Sequence, residues 1–186
     1  MELYQELLEK AIDGESTAIA RYHKYSEIAL KEGFKNIAYM FQALGGAEQI
    51  HVKNHRNALK MDYTPQIGST ESSTSMTHLV ESHKTELWEH KEMYPGLLAP
   101  LGKKKDLESK VARLSMEWAM KVELTHAQAI NIAVEALSKG VDLEVDSIYI
   151  CRVCGSLILG KKVPEFCPVC GHDQSFYIEV ARVGEI

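Results

Sequence analysis

The stretch Lys121–Leu137, which reads KVELTHAQAINIAVEAL, decides the fold. Ile130, Ala133 and Leu137 recur at helical spacing, and Ala112, Met116 and Ala119 upstream extend the same apolar face. Glu123 and His126 interrupt it. They put a carboxylate and an imidazole one turn apart on the side of the helix that should face a core. An ionised carboxylate taken out of water without a partner is strongly unfavourable, so this face must meet something that compensates the charge.

Working outward, three more segments repeat the pattern. Residues 2–30 carry Leu3, Leu7, Ala11, Ala18, Tyr22, Tyr25 and Ala29 in a helical stripe, with Glu15 on it and a break at Lys31-Glu32-Gly33. Ile37, Phe41, Leu44, Val52 and Leu59 draw a second stripe, which Glu48 and His51 continue. The stretch from Asp62 to Ser75, rich in serine, threonine, proline and glycine, reads as the long connection between two helical hairpins. The spacing predicts a third helix over 76–93, stopped by Pro95, with Glu86 and Glu89 facing inward between Leu79 and Met93. The fourth spans 106–138 and ends near Gly140, and there is no strand signal before residue 147. Four long amphipathic helices make an all-α four-helix bundle over residues 1–140.

Five carboxylates therefore point inward, more than a domain with about 5–15 kcal/mol of net stability can carry unpaired. No matching set of arginines lies on those faces. Two divalent or trivalent cations would compensate, since carboxylate and imidazole donors suit iron and manganese. A glutamate from each of two helices and Glu-x-x-His from the other two is the arrangement of ferritin-like two-metal carboxylate bundles. Order along the chain agrees: Glu15 precedes Glu48-x-x-His51 as Glu86 precedes Glu123-x-x-His126, like two halves of an internal repeat. His55, one turn beyond His51, reads as a satisfied core or rim histidine or else as one standing behind the ligands, and His23, His78, His83, His90 and His172 read as exposed. Tyr22 and Tyr94 either pack or hydrogen-bond the glutamates.

After a linker at Ser138 to Asp146 the chain changes character. Residues 147–186 bring short apolar runs, glycines, prolines and two pairs, Cys151-x-x-Cys154 and Cys167-x-x-Cys170, each followed by a glycine. So small a β-rich unit needs a metal for stability. Taken alone, four thiolates fit zinc at least as well as iron, because zinc ribbons share the motif. Beside a redox-capable bundle, iron is the better reading, since zinc carries no electron.

The net charge of −5 argues against a nucleic-acid partner, and Lys103 to Lys105 beside Gly102 read as a solvated turn. MELYQELLEK lacks the basic start and apolar run of a signal peptide, and no stretch is apolar enough to span a membrane. A cytoplasmic protein is expected.

These residues, in this order, resemble the rubrerythrin family over nearly the whole chain. The resemblance rests on Gly14-Glu15-Ser16 with Arg21-Tyr22, Glu48-Gln-Ile-His51, Glu86-Leu-Trp-Glu89 with Met93-Tyr94-Pro95, Glu123-Leu-Thr-His126 and the rubredoxin-like cysteines. It implies a two-iron site held by Glu15, Glu48, His51, Glu86, Glu89, Glu123 and His126, with Glu48 and Glu123 bridging. A further iron would sit on Cys151, Cys154, Cys167 and Cys170, where zinc can enter in recombinant protein. It also implies a peroxidase that reduces hydrogen peroxide to water. Glu89 and His51 would exchange on one iron, and Tyr22 and Tyr94 would stand behind the ligands. A rubredoxin or flavoprotein reductase, itself NAD(P)H-linked, would supply electrons. The implied assembly is a homodimer in which one subunit's four-cysteine iron lies near the other's bundle. Thr85, where the family often has glycine, and Ser156, where an aromatic is common, depart from the pattern. The rival reading is an iron-storage or oxygen-scavenging bundle with a structural zinc ribbon. A storage bundle has no need of the cysteines, and a purely structural protein leaves the inward carboxylates unexplained.

Overall fold

The computed structural model describes residues 1–182. Helix α1 (Leu3–Lys31) and α2 (Lys35–Leu59) form one hairpin; α3 (Ser75–Trp88), α4 (Tyr94–Leu98) and α5 (Leu107–Ser138) form the other side of the bundle. Local chemistry sets the ends. Thr74 and Asp106 cap α3 and α5 by accepting from the N–H groups of Thr77 and Ser109, and Lys60 closes α2 in a left-handed conformation at φ 56°. No helix among the described residues is long and apolar enough to cross a membrane.

Pro95 does not stop the third helix as expected. Between α3 and α4 the chain makes a wider π turn, Glu89–Met93, in which the Tyr94 N–H bonds back to the Glu89 carbonyl, and helical backbone continues to Leu101. The widening fits the proline, whose ring would collide with the carbonyl four residues earlier in a regular α-helix. The polar connection is also structured. Asp13 accepts from the Tyr63 hydroxyl at 2.9 Å and from the Gln66 N–H at 2.7 Å, and Lys24 donates to the Thr70 carbonyl at 2.7 Å, strapping the segment along α1.

The bundle core divides in two. One apolar cluster holds Tyr22, Phe41, Leu44, Leu79 and Ile130; the other holds Leu8, Ile12, Leu59, Tyr94 and Met116. Leu3, assigned to the buried stripe, is instead exposed. The tail forms an antiparallel sheet in the order β2-β1-β3, with β1 Ile148–Cys151, β2 Leu157–Leu159 and β3 Tyr177–Glu179. Ile148, Ile150 and Leu157 join the first bundle cluster, while Val122 of α5 packs among the cysteines. The tail therefore shares its core with the bundle as well as building one around the cysteines. The expected linker is a strap too: Asp142 accepts from the N–H groups of Asn36 and Ile37 and caps the start of α2.

Candidate metal centres

Between α1, α2, α3 and α5, six side chains meet with almost no exposure: Glu15, Glu48, His51, Glu86, Glu123 and His126. Glu15, Glu48, His51 and Glu123 form one group whose ligand atoms all lie within 4.8 Å; Glu48, Glu86, Glu123 and His126 form the other. Glu48 and Glu123 belong to both. The His51 Nδ1 lies 2.8 Å from Glu48 Oε2 and 3.2 Å from Glu123 Oε1, and the His126 Nδ1 lies 3.2 Å from Glu48 Oε1 and 3.0 Å from Glu123 Oε2. Each shared carboxylate thus turns one oxygen to each histidine. Glu15 and Glu86 complete the two sides at 3.5 and 3.4 Å from the respective imidazoles.

These residues fit a pair of metal ions. Two ligands at right angles with bonds of about 2.1 Å stand about 3.0 Å apart, close to the spacings observed. Among the described residues, both oxygens of Glu48 and Glu123, one each of Glu15 and Glu86, and both Nδ1 atoms are buried without a hydrogen-bond partner. Such orphans are rare in folded proteins, and these all belong to the two groups above.

The charge pattern follows from the crowding. Burial, aided by the Glu48 carboxylate, pushes Glu15 up to about 7, and burial foremost pushes Glu123 up to about 8. Glu48 is as buried, but His126 and His51 outweigh burial and hold it below the usual carboxylate range. Burial opposes protonation of both histidines, yet the surrounding carboxylates carry them well above the ordinary imidazole value.

Glu89 stands apart. It is buried at the head of the π turn but lies outside both groups, and burial with the neighbouring Glu86 charge raises its carboxyl well above normal. It lines two cavities, of about 460 and 700 Å³, that open between α1, the strapped connection and α3. The Tyr22 hydroxyl donates to Glu86 Oε1 and the Tyr94 hydroxyl to Glu15 Oε1. Glu15, Glu86, both Glu-x-x-His pairs and both tyrosines are thus brought to one place, with Glu89 outside the two groups.

His55 is fully buried and hydrogen-bonded to Tyr94, a satisfied core histidine as its place one turn beyond His51 suggested. Two features were not anticipated. His78, read as exposed, is buried and stacked on Tyr25 at 3.8 Å; His83, His90 and His172 are half-buried. The second is the position of the first cysteine knuckle. The His51 Nε2 lies 3.0 Å from the Cys154 carbonyl and the His126 Nε2 3.3 Å from that of Gly155, within one chain, so each imidazole turns one nitrogen to the carboxylates and one to the tail. The expected placement against another subunit's bundle is not needed to bring the cysteines to the histidines.

The cysteines themselves close into one cluster, with Cys151 Sγ 3.7 Å from Cys170 Sγ and Cys154 Sγ 3.6 Å from Cys167 Sγ. A tetrahedral ion with metal–sulfur bonds of about 2.3 Å has edges of about 3.8 Å, so the spacing fits. Burial foremost pushes the Cys170 thiol up to about 12, a preference for the proton that a bound cation would reverse. Gly155 and Gly171 turn the knuckles at φ +90° and +75°, their N–H groups donating to the Cys151 and Cys167 carbonyls.

Comparison with known proteins agrees. Residues 6–131 match the rubrerythrin family model and residues 149–178 the model described as the rubrerythrin rubredoxin-like domain. The chain is 34% identical over 170 residues to rubrerythrin-2 of Clostridium acetobutylicum, covering 89% of this chain and 90% of that one. It is 30% identical over 184 residues to a putative rubrerythrin of Methanocaldococcus jannaschii, covering 91% and 89%. The fold superposes on a fully reduced, all-ferrous nigerythrin with a TM-score of 0.85 at 23% identity, over 97% of this chain and 88% of that one. A bundle with two Glu/His clusters, a four-cysteine tail and these matches together place the chain in the rubrerythrin family.

Proposed function

We propose that this protein is a non-haem diiron peroxidase that reduces hydrogen peroxide to water with electrons entering through the four-cysteine iron. The observation that carries the reading is the contact of His51 and His126 with the Cys154 and Gly155 carbonyls, which leaves one hydrogen bond at each histidine between an electron-entry unit and a two-metal site. In this reading residues 1–140 form the peroxide-reducing unit and 147–186 the electron-entry unit. Glu15, Glu48, His51, Glu86, Glu123 and His126 would hold the iron pair, Glu48 and Glu123 being shared between its two sides, and Glu89 would be a further ligand alternating with His51. Cys151, Cys154, Cys167 and Cys170 hold the third iron.

When bound, the diferrous pair supplies the two electrons that cleaving one peroxide requires. The chain's own residues supply the rest. Arg21, Thr85 and Glu89 line both cavities and make this the side from which a small polar substrate arrives. The opposite side is closed by the knuckle against the histidines, which keeps the electron path out of water. Tyr22 holds a proton on Glu86 beside the cavity that both line, and Tyr94 holds one on Glu15 deeper in the bundle, so each end of the site has a proton donor. Electrons come from a rubredoxin or flavoprotein reductase, and the working form is a homodimer in the cytoplasm.

Cys154→Ser and Cys170→Ser test the division of labour. Both are expected to abolish reductase-driven peroxide consumption while leaving one rapid oxidation of chemically pre-reduced bundle iron in stopped-flow. Loss of that single oxidation in a folded, metallated variant would refute the reading.

A further inference from the structure

The two halves of the bundle are related by the internal repeat, and each has a tyrosine donating to its lone glutamate: Tyr94 to Glu15 and Tyr22 to Glu86. What stands behind the two tyrosines differs. The His55 Nε2 lies 3.0 Å from the Tyr94 hydroxyl, and its Nδ1 lies 2.5 Å from Ser115 Oγ on α5. The position equivalent to His55, four residues after His126, is Ile130, which is buried in the apolar cluster with Tyr22. Tyr22 stacks on Phe41, with ring centroids 5.9 Å apart, and among the described residues has no histidine behind its hydroxyl.

Donor and acceptor rules fix the direction of the chain of bonds. A carboxylate holding a metal can only accept, so the Tyr94 proton goes to Glu15 and the phenol oxygen accepts from His55. The Nε2 of His55 must then carry the hydrogen. Burial foremost pushes the His55 imidazole down to about 3, which keeps it neutral and leaves Nδ1 bare to accept the Ser115 hydroxyl proton. His55 and Tyr94 are fully buried and Ser115 nearly so, so water does not compete for these directions. A phenol that accepts one hydrogen bond also donates its own more strongly.

We propose that His55 is a positioning residue: held in one tautomer by Ser115, it fixes the Tyr94 hydroxyl on Glu15 and makes the Glu15 end of the metal centre inequivalent to the Glu86 end. The kinetic part of the proposal rests on the peroxidase reading; the tautomer does not. The effect is on turnover rather than on substrate capture, because His55 lies on the far side of Tyr94 from Glu15.

Two measurements test it. In full-length protein loaded with zinc as a diamagnetic stand-in, nitrogen NMR of the His55 ring should show Nε2 protonated and Nδ1 bare at neutral pH, and Ser115→Ala should shift that tautomer balance. A proton on Nδ1, or a doubly protonated ring, overturns the proposal whether or not the protein reduces peroxide. In iron-loaded protein, His55→Phe should lower kcat about tenfold with KM unchanged. His55→Gln, whose amide N–H can reach Tyr94, should recover most of the loss. In a Tyr94→Phe background His55→Phe should cost nothing further. Equal losses in the Phe and Gln variants, or additive losses in the double variant, overturn the proposal.

Discussion

Substituting alanine for Gly155 presses on the junction between tail and bundle. An added Cβ there would lie 2.8 Å from His51 Nε2 and 3.1 Å from the Ala47 carbonyl, on backbone held at φ +90°. The equivalent glycine of the second knuckle, Gly171, has φ +75° and nothing within 4 Å of a built Cβ. Both substitutions carry the left-handed backbone penalty, about 1–2 kcal/mol. Only Gly155→Ala must also move its neighbour. Carbon needs about 3.5 Å to a non-bonded heavy atom, so the knuckle must retreat by about 0.7 Å. That stretches the His51 to Cys154 bond, 3.0 Å at present, beyond hydrogen-bond length. Leaving a buried donor and acceptor unpaired adds about 1–3 kcal/mol. For a chain of this size each kcal/mol lowers the thermal midpoint by about 2–4 °C. At matched metal content, Gly155→Ala should therefore melt about 2–12 °C below Gly171→Ala. Electron transfer from the reduced tail to the bundle should slow in the first variant only. Equal midpoints and equal transfer rates would refute the junction described here.

Two further outcomes are expected. Glu89→Ala should fold and bind two irons in the bundle but lose at least tenfold in peroxide turnover, about 1.4 kcal/mol in the barrier; wild-type turnover in a fully metallated variant would return the site to a symmetric centre. Metal-free protein should lose stability as pH rises from about 4.5 to 8. Glu15 and Glu123 ionise near 7 and 8 in the fold against a reference of 4.5, and His51 and His126 lose their contribution as pH passes through their raised values. Glu48, held low, contributes stability that is lost only in acid, outside that window. A thermal midpoint that holds or rises over this range in metal-free protein would contradict the electrostatics.

The fold and the cluster were legible in the sequence for the same reason. Glu48, His51, Glu123 and His126 break apolar stripes whose period is set by the helix itself, so a local rule places them on the inner face. The cysteine spacing is likewise local. Misreadings arose where position depends on contacts between distant segments. His78 carries no periodic mark of burial, yet Tyr25 and the Ser73 N–H enclose it. Pro95 signals a helix end, and only the π turn before it lets the helix continue. Asp142 looked like linker because its partners, the N–H groups of Asn36 and Ile37, lie more than a hundred residues away. The glycine after each cysteine pair is visible in the sequence, but the proximity of Gly155 to His51 has no sequence signature at all.

The proposed function requires three irons, two between the Glu48 and Glu123 carboxylates and one among the cysteines. Anomalous diffraction at the iron edge, on crystals of protein grown anaerobically with ample iron, tests it most directly. The account predicts about three iron peaks per chain, two within coordination reach of Glu48 and Glu123 and one centred on the four sulfurs. A single bundle peak, or zinc alone at the cysteines under those conditions, would contradict it.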